Sequence, residues 1–553
     1  MSQRCECGRS RSRLNTEQLL HDCCPQRTRT LKLSAFSVDR LAPLSLNGTG
    51  TTMNRTPSST TPERERTGRV PGAERSPDGT GPAPAGPDAA PPLSNGLKQR
   101  HLSMIALGGV IGAGLFVGSK EGIAAAGPSI VLAYAVSGCL VMLVMRMLGE
   151  MAAASPASGS FSVHAGRSIG PWAGFTTGWM FTAQLCVAVA AEAIGAAGIM
   201  TGWFPDTQPW MWVLLFMVVF CGANLAAVSN FGEFEFWFAA LKITAIGIFL
   251  VLGLLAIFGV LPGTSAPGAA HLTGDGGFLP NGSDGLVIGL LASVFAYGGL
   301  ETVTIAAAES KDPVRGVARA VRTAMWRIAL FYVGSMAVIV TVIPWNNADI
   351  AKNGPYVAVL DYLHIPAAGQ IMNVVILIAL LSAMNANIYG SSRMAHSLSA
   401  RGQGPRFLRT VSGGVPRRAV ILCSAFGFLA VLFSYWWPET VFQWLLNMVG
   451  AAILVVWGFI AVAQLRMRRR LERETPEKLV VRMWLFPALT WVALAGVVAV
   501  LVLMLRDENQ RMQLYFTGGF GVVLVVVGLI RQRMAGQKTA EQDASAVTSQ
   551  NSR

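Results

Sequence analysis

Ile105-Ala-Leu-Gly-Gly-Val-Ile-Gly-Ala-Gly-Leu-Phe116 sets glycines at 108, 109, 112 and 114 into an apolar run, and Ser293-Val-Phe-Ala-Tyr-Gly-Gly-Leu-Glu301 sets Gly298 and Gly299 into another. Glycine lowers the cost of leaving helical geometry and lets another backbone or a ligand come close. Taken singly, each cluster also suits close packing of membrane helices, which favours small residues. Their positions separate the two readings. Apolar segments of helical length predict α1 at 103–124, α2 at 129–149, α3 at 172–201, α4 at 209–228, α5 at 234–260 and α6 at 284–309. They continue with α7 at 323–344, α8 at 365–392, α9 at 418–436, α10 at 439–465, α11 at 482–505 and α12 at 513–531. The second glycine cluster therefore stands five helices after the first, as it would if residues of about 101–262 and 284–466 were repeats. An odd number of helices per repeat inverts the second copy. Paired glycine-interrupted segments in corresponding positions point to the binding site of a secondary transporter.

An unwound stretch at mid-membrane frees backbone groups that lipid cannot satisfy, so it lines a wet cavity. The amides of Gly112, Ala113 and Gly114 would face an anion such as a carboxylate from a half-helix N-terminus. Carbonyls at Ile111, Phe295 and Ala296 would accept from an ammonium group, with Tyr297 and Gly299 completing the second break. Such a pocket suits a zwitterion.

Composition agrees. Of 553 residues, 52% are hydrophobic and only 13% charged, against about a quarter charged in soluble domains. From about residue 101 to 531 apolar stretches recur at the ~20-residue length that spans a bilayer as a helix. The net charge of +14 lies mostly in the N-terminal tail and in alternate loops, which fits membrane topology and not a nucleic-acid surface. Arg167, then Lys311, Arg315, Arg319 and Arg322, then Arg393 to Arg418, then Arg466 to Lys478 mark one set of loops. The opposite loops at 202–208 and 261–283 carry no Lys or Arg, and 345–364 carries only Lys352. Both termini are therefore expected in the cytoplasm.

Residues 1–100 are rich in Arg, Pro, Ser, Thr and Gly and are expected to be disordered, as is the tail at 536–553. No apolar leader segment follows the start. The Cys- and Arg-rich residues 1–52 are expected to be an over-extended gene start with translation from Met53; detection of residues 1–52 by intact-mass measurement would refute that. Cys139, Cys186, Cys221 and Cys423 lie in apolar segments, where a thiol behaves as a small apolar residue. Cys5, Cys7, Cys23 and Cys24 lack the spacing of a zinc site, and no metal or cofactor is expected. There is no P-loop, dinucleotide fingerprint or H-E-x-x-H, so an enzyme is not expected and the driving force comes from an ion gradient or from exchange.

Ionisable residues inside the spans are Glu192, Lys242 and Glu301, with Glu150 and Glu309 near helix ends. A central charge costs roughly 2.5–3.5 kcal/mol to insert, so each is a functional candidate. Glu301, within a turn of the α6 break, is expected to bind the substrate amine or handle protons; the alternative is a packing carboxyl kept neutral. Lys242 has no acidic neighbour one turn away, and a desolvated lysine loses its proton readily. It could also stand where a sodium ion would sit, or be paired permanently for structure. Glu192 on α3 is open between proton coupling and packing. Asn385 is a candidate substrate contact, although asparagines in membrane helices more often join helices.

The combination of Gly109-Val-Ile-Gly-Ala-Gly-Leu-Phe-Val-Gly-Ser119, Ala126-Gly-Pro-Ser-Ile130 through Met147-Leu-Gly-Glu-Met151, Gly159-Ser-Phe161 and Ala307-Ala-Glu-Ser310 resembles the amino acid permeases of the amino acid–polyamine–organocation superfamily. Asn230-Phe-Gly-Glu-Phe-Glu-Phe-Trp237, Gly276-Gly-Phe-Leu-Pro-Asn-Gly282, Val303-Thr-Ile-Ala-Ala-Ala-Glu-Ser310 and Arg482-Met-Trp-Leu-Phe-Pro487 make the bacterial 4-aminobutyrate (GABA) permeases the most similar subgroup. The resemblance implies an all-α LeuT-type fold of two inverted five-helix repeats plus α11 and α12, filling about 101–535. It further implies amino acid uptake by proton symport across a bacterial inner membrane, with Lys242 in place of a sodium site and Phe295 as an aromatic gate. In the helix-3 stretch Phe181-Thr-Ala-Gln-Leu-Cys186 this chain is less aromatic than that subgroup, which leaves the transported side chain open. An amino acid exchanger and a non-transporting receptor of the same fold are the alternatives.

Overall fold

The computed structural model describes residues 111–155, 160–226, 231–261, 266–302, 313–438 and 440–551. The N-terminal tail, Gly108, Gly109, Glu309 and the stretch Ala307–Ser310 lie outside the described residues. The described chain is almost wholly helical, with ten helices long and apolar enough to cross a membrane among the described residues. One of these ten spans, Ala113–Ala154, contains the outer part of α1 (Ala113–Phe116 and Ser119–Ala126), a 3-10 turn at Gly127–Ser129 and α2 (Ile130–Ala154). Gly127, at φ 61°, and Pro128 make the chain turn between the two helices.

α3 (Pro171–Trp203) is the central post, packed along α8 (Ala368–Ala400) and touching α4 (Pro209–Ala226), α9 (Arg417–Trp436), α10 (Val441–Glu474) and α12 (Glu508–Asn551). α5 (Phe231–Ile257) packs on α7 and α8, and α11 (Ala488–Arg506) on α10 and α12. α7 begins at Pro313, earlier than its apolar run suggests, and passes through a π-helical stretch at Ile328–Val333 before ending at Val342. α10 likewise outruns its apolar window. Its last turns are basic and hold helical form through i,i+4 ion pairs, Arg468–Glu472 at 2.7 Å and Arg470–Glu474 at 2.9 Å. α12 continues past Arg531 to Asn551 through a stretch rich in Ala and Gln, both good helix formers.

The described part of α1 and the α6 segment Gly282–Ala296 lie antiparallel. Gly114 faces Ala296, Gly122 faces Gly289, and Gly285 lies against the Ala125 carbonyl. A C-terminal half packed beside an N-terminal half, five helices on, is what inverted repeats require. Small residues at every crossing let the two backbones approach, so the packing reading and the break reading of these glycines both hold, at different positions.

The Arg-rich segments collect at one end of the bundle. Arg401 Nη2 donates to Ser162 Oγ at 2.9 Å, Arg531 Nη2 to the Gly402 carbonyl at 2.6 Å, and Trp179 Nε1 to the Gln403 carbonyl at 2.8 Å. The bare loops meet at the other end, where Asn281 Nδ2 donates to the Ala125 carbonyl at 2.9 Å and Trp203 Nε1 to Gln370 Oε1 at 3.0 Å. Of the four thiols expected in apolar surroundings, Cys186 and Cys423 are buried, Cys221 is half-buried and Cys139 is exposed on α2.

Between α2 and α3 a short helix, Ser160–Ser168, buries His164, whose Nε2 has no hydrogen-bond partner among the described residues. Burial, and secondarily the Arg167 charge, pushes the imidazole pKa down to about 4. An unfolded chain takes up this proton near pH 6.5, whereas the folded one refuses it until about pH 4. Stability is therefore flat above pH 6.5 and falls as pH drops from there towards 4, by up to about 3 kcal/mol from this group. His164→Gln should flatten that acid limb in thermal unfolding of the detergent-purified protein; an unchanged pH profile would sink the assignment.

Candidate functional site

At both glycine clusters the described residues leave helical geometry. At the first, Ile111 and Gly112 are non-helical, and helix starts at Ala113, with a further irregularity at Val117–Gly118. At the second, α6 stops at Ala296, Tyr297–Leu300 turn, and Gly299 takes φ 90°, a conformation that only glycine adopts cheaply. A Cβ on Gly114 would stand 2.6 Å from Ala296 Cα and 2.8 Å from the Phe295 ring, and one on Gly112 would strike the Glu192 carboxylate and stand 2.9 Å from Ala383 Cβ. The two breaks and α3 are thus in direct contact.

The first break is gripped by two oppositely charged side chains. Ala113 N–H donates to Glu192 Oε2 at 2.9 Å, and Lys242 Nζ donates to the Ile111 carbonyl at 3.2 Å. An amide assigned to a substrate carboxylate, and a carbonyl assigned to an ammonium, are therefore filled by the protein's own carboxylate and ammonium. Two further charges, absent from the sequence reading, join them. Glu235 on α5 and Arg327 on α7 lie within electrostatic reach of Lys242. Exposures are 6% for Glu192, 0% for Glu235 and Lys242, and 2% for Arg327, so all four are out of water. Two acids and two bases cancel, which is how a buried cluster avoids the cost of an uncompensated charge. A signal for both was present: Arg327 falls inside the apolar window of α7, and Glu235 stands seven residues, two turns, before Lys242.

At the second break Glu301 is buried and accepts from Trp457 Nε1 on α10. Tyr297 is committed to packing: its hydroxyl donates to the Tyr134 carbonyl at 2.7 Å and its ring stacks on Tyr332 with centroids 4.9 Å apart. Of the carbonyls proposed for an ammonium, that of Phe295 accepts the Gly298 N–H at 2.9 Å. Gln184 on α3 is buried with its amide nitrogen 3.7 Å from where a Gly298 Cβ would be, and its Oε1 has no partner among the described residues. It lies in the helix-3 stretch already singled out for its departure from the aromatic pattern.

Asn385 is not brought to the break. Ala383 faces Gly112; two residues on, about 200° round the helix, Asn385 turns to α4 and accepts from Asn224 Nδ2 at 2.7 Å. The helix-joining alternative describes it. Phe295 is half-buried and forms one wall of a cleft between α1, α6, α10, α11 and α12, lined also by Gly118, Leu446, Asn447 and Met504. Neither Gly112 nor Ala113 lines that cleft, whereas Phe295 both lines it and lies against Gly114.

Against known families, residues 101–538 match the amino acid permease model. The chain belongs to the amino acid permease family. The permease is 44% identical over 460 residues to the gamma-aminobutyric acid permease of Bacillus subtilis, covering 83% of this chain and 97% of that protein. It is 46% identical over 443 residues to the probable GABA permease of Pseudomonas aeruginosa, covering 80% and 93%. It is also 46% identical over 445 residues to the aromatic amino acid transport protein AroP of Corynebacterium glutamicum, covering 79% and 95%. Near-equal likeness to relatives named for GABA and for aromatic substrates leaves family membership firm and the side chain of the substrate undecided. As a permease with many membrane helices, the chain is a multi-pass bacterial membrane protein that transports amino acids, and not an enzyme.

Proposed function

We propose that the permease imports GABA or a related small amino acid across the inner membrane by proton symport, with both termini in the cytoplasm and alternating access around the α1 and α6 breaks. The observation that carries this reading is the pair of bonds at the first break, Glu192 to the Ala113 amide and Lys242 to the Ile111 carbonyl. A charged carboxylate holds a backbone amide roughly twice as strongly as a neutral group does. Protonation of Glu192 makes its carboxyl neutral and releases the amide, and the substrate carboxylate takes its place together with the amides of Gly112 and Gly114. Proton arrival and substrate arrival are thereby the same event. The substrate amine lies towards the α6 break, near Glu301 and the free amide oxygen of Gln184, with Phe295 closing the outer side. The helices α1, α2, α6 and α7 rock against the rest to expose the filled site to the other face.

The test is uptake of labelled GABA into proteoliposomes under an imposed inward proton gradient, with alanine, proline, aromatic and basic amino acids as competitors. Accumulation that collapses with the gradient supports the reading. Uptake indifferent to the gradient but dependent on internal amino acid would make the protein an exchanger, and binding without flux would make it a receptor.

A further inference from the structure

We propose that Glu235 is the residue through which the proton leaves Lys242 towards the end of the bundle where the arginine-rich segments gather. The inference rests on the proton-symport reading above.

The buried face of α5 is a stripe: Glu235, Ala239, Lys242, Ile246 and Phe249 are all enclosed, whereas Phe234 and Trp237 point outwards and are largely exposed. Seven residues bring Glu235 back to the same side of the helix as Lys242, about 10 Å nearer the start of α5. In the turn between them stand Ala239, small and buried, and Phe238, half-buried on the other flank, so one side of the line joining the two charges carries only a methyl group. α5 starts from the end where α4 finishes, the same end at which Ser162, Arg401, Gly402 and Arg531 are tied together. Glu235 stands in the second turn from that end, and Lys242 lies deeper.

The carboxylate is fixed yet keeps an open acceptor. Ser382 Oγ on α8 donates to Glu235 Oε1 at 2.8 Å, while Oε2 has no partner among the described residues. The charged groups that share its field are Lys242 on its own helix and, around Lys242, Glu192 from α3 and Arg327 from α7. Glu192 is committed to the Ala113 amide, whereas Glu235 makes no bond to the break among the described residues. The one at the break meets the substrate, and the one along α5 is left to receive the proton. The step balances simply. The Lys242 ammonium gives a proton to the Glu235 carboxylate, leaving a neutral amine and a carboxylic acid; the acid gives it up when alternating access opens the arginine-rich end to water, and returns to the carboxylate. Protonated Glu192, freed of the substrate, passes its proton to the Lys242 amine, so one proton has entered at the break, one has left along α5, and the empty carrier resets with its charges restored.

A fixed counter-charge and a proton relay differ in what they disturb. Reconstituted Glu235→Gln protein unbalances the buried charges and should lose some exchange of labelled for unlabelled GABA, but at least tenfold less than it loses of net accumulation, because exchange needs no proton release. Net accumulation on an inward proton gradient, and acidification of the lumen on adding GABA outside, should fall at least tenfold, with Glu235→Asp recovering part of both. Gradient-driven accumulation by Glu235→Gln at the unmodified rate would overturn the assignment, as would equal losses in exchange and accumulation. Absence of any GABA-driven acidification in the unmodified protein would instead overturn the symport reading and this inference with it. Should Glu235→Gln fail to reach the membrane, Ser382→Ala removes only the orienting bond: net uptake several-fold slower at unchanged half-saturation supports the relay, and unaltered uptake refutes it.

Discussion

Lys242→Met loses gradient-driven accumulation by about 100-fold, while Lys242→Arg retains exchange yet accumulates nothing. Removing the ammonium leaves Glu192 and Glu235 facing Arg327 alone in a site without water, and an uncompensated buried charge costs about 3–5 kcal/mol. Since about 1.4 kcal/mol is a tenfold change, a loss of two orders of magnitude is the smaller end of that range. The Ile111 carbonyl also loses its donor, so the break itself is less well held. Arginine separates charge from titration. Its guanidinium keeps the cluster neutral and can reach a carbonyl, but it does not give up a proton in a protein, so a carrier that must discharge one stalls after a single half-cycle. The measurement is GABA accumulation and GABA counterflow in the same proteoliposomes for the three proteins. Lys242→Arg that concentrates GABA against its gradient would end the idea that this side chain carries the proton.

The breaks were legible because glycines at 112, 114, 298 and 299 interrupt apolar runs five helices apart, and the antiparallel contact of Gly122 with Gly289 is the inversion that an odd repeat predicts. Glu192, Lys242 and Glu301 were legible because a charge in an apolar window is conspicuous. Glu235 stands two turns, not one, from Lys242, and Arg327 follows closely on a run of basic residues ending at Arg322, so neither stands out in the sequence. Spacing tells which residues share a face of one helix; it does not tell which faces of two helices meet. For that reason the Asn224–Asn385 bond, and the filling of the Ala113 amide by Glu192, needed coordinates. The stretch Arg482-Met-Trp-Leu-Phe-Pro487 marked the resemblance without revealing a reason for its residues, and that reason is a contact with α2.

Glu150→Ala is the substitution expected to cost most in stability, about 3–5 kcal/mol. Glu150, at the end of α2, is 2% exposed and uses both oxygens: Oε1 accepts from Gln464 Nε2 at 2.9 Å, and Oε2 accepts from Arg468 Nη1 at 2.7 Å and from the Met483 amide. Around it the linker between α10 and α11 wraps the end of α2. Arg468 lies over the Phe486 ring at 5.2 Å, Arg146 Nε donates to the Arg482 carbonyl at 2.9 Å and its guanidinium sits over Trp484 at 5.1 Å, while Gln464 Oε1 accepts from Thr490 at 3.0 Å. Truncating the carboxylate leaves the Arg468 charge, the Gln464 amide and the Met483 amide enclosed, with the exposed Glu472 still paired to the arginine. Glu150→Gln keeps the size and an acceptor and should cost less, about 1–3 kcal/mol. Replacing both charges, as Glu150→Leu with Arg468→Met, removes the desolvated pair together and should return most of the lost stability, since matched apolar groups often substitute for a buried ion pair at little cost. Thermal unfolding of the unmodified protein, Glu150→Leu, Arg468→Met and the double variant gives the coupling between the two positions directly. Single variants that melt like the unmodified protein, or a double variant worse than the sum of its parts, would mean that α2 is held to α10 by packing and that this ion pair is incidental.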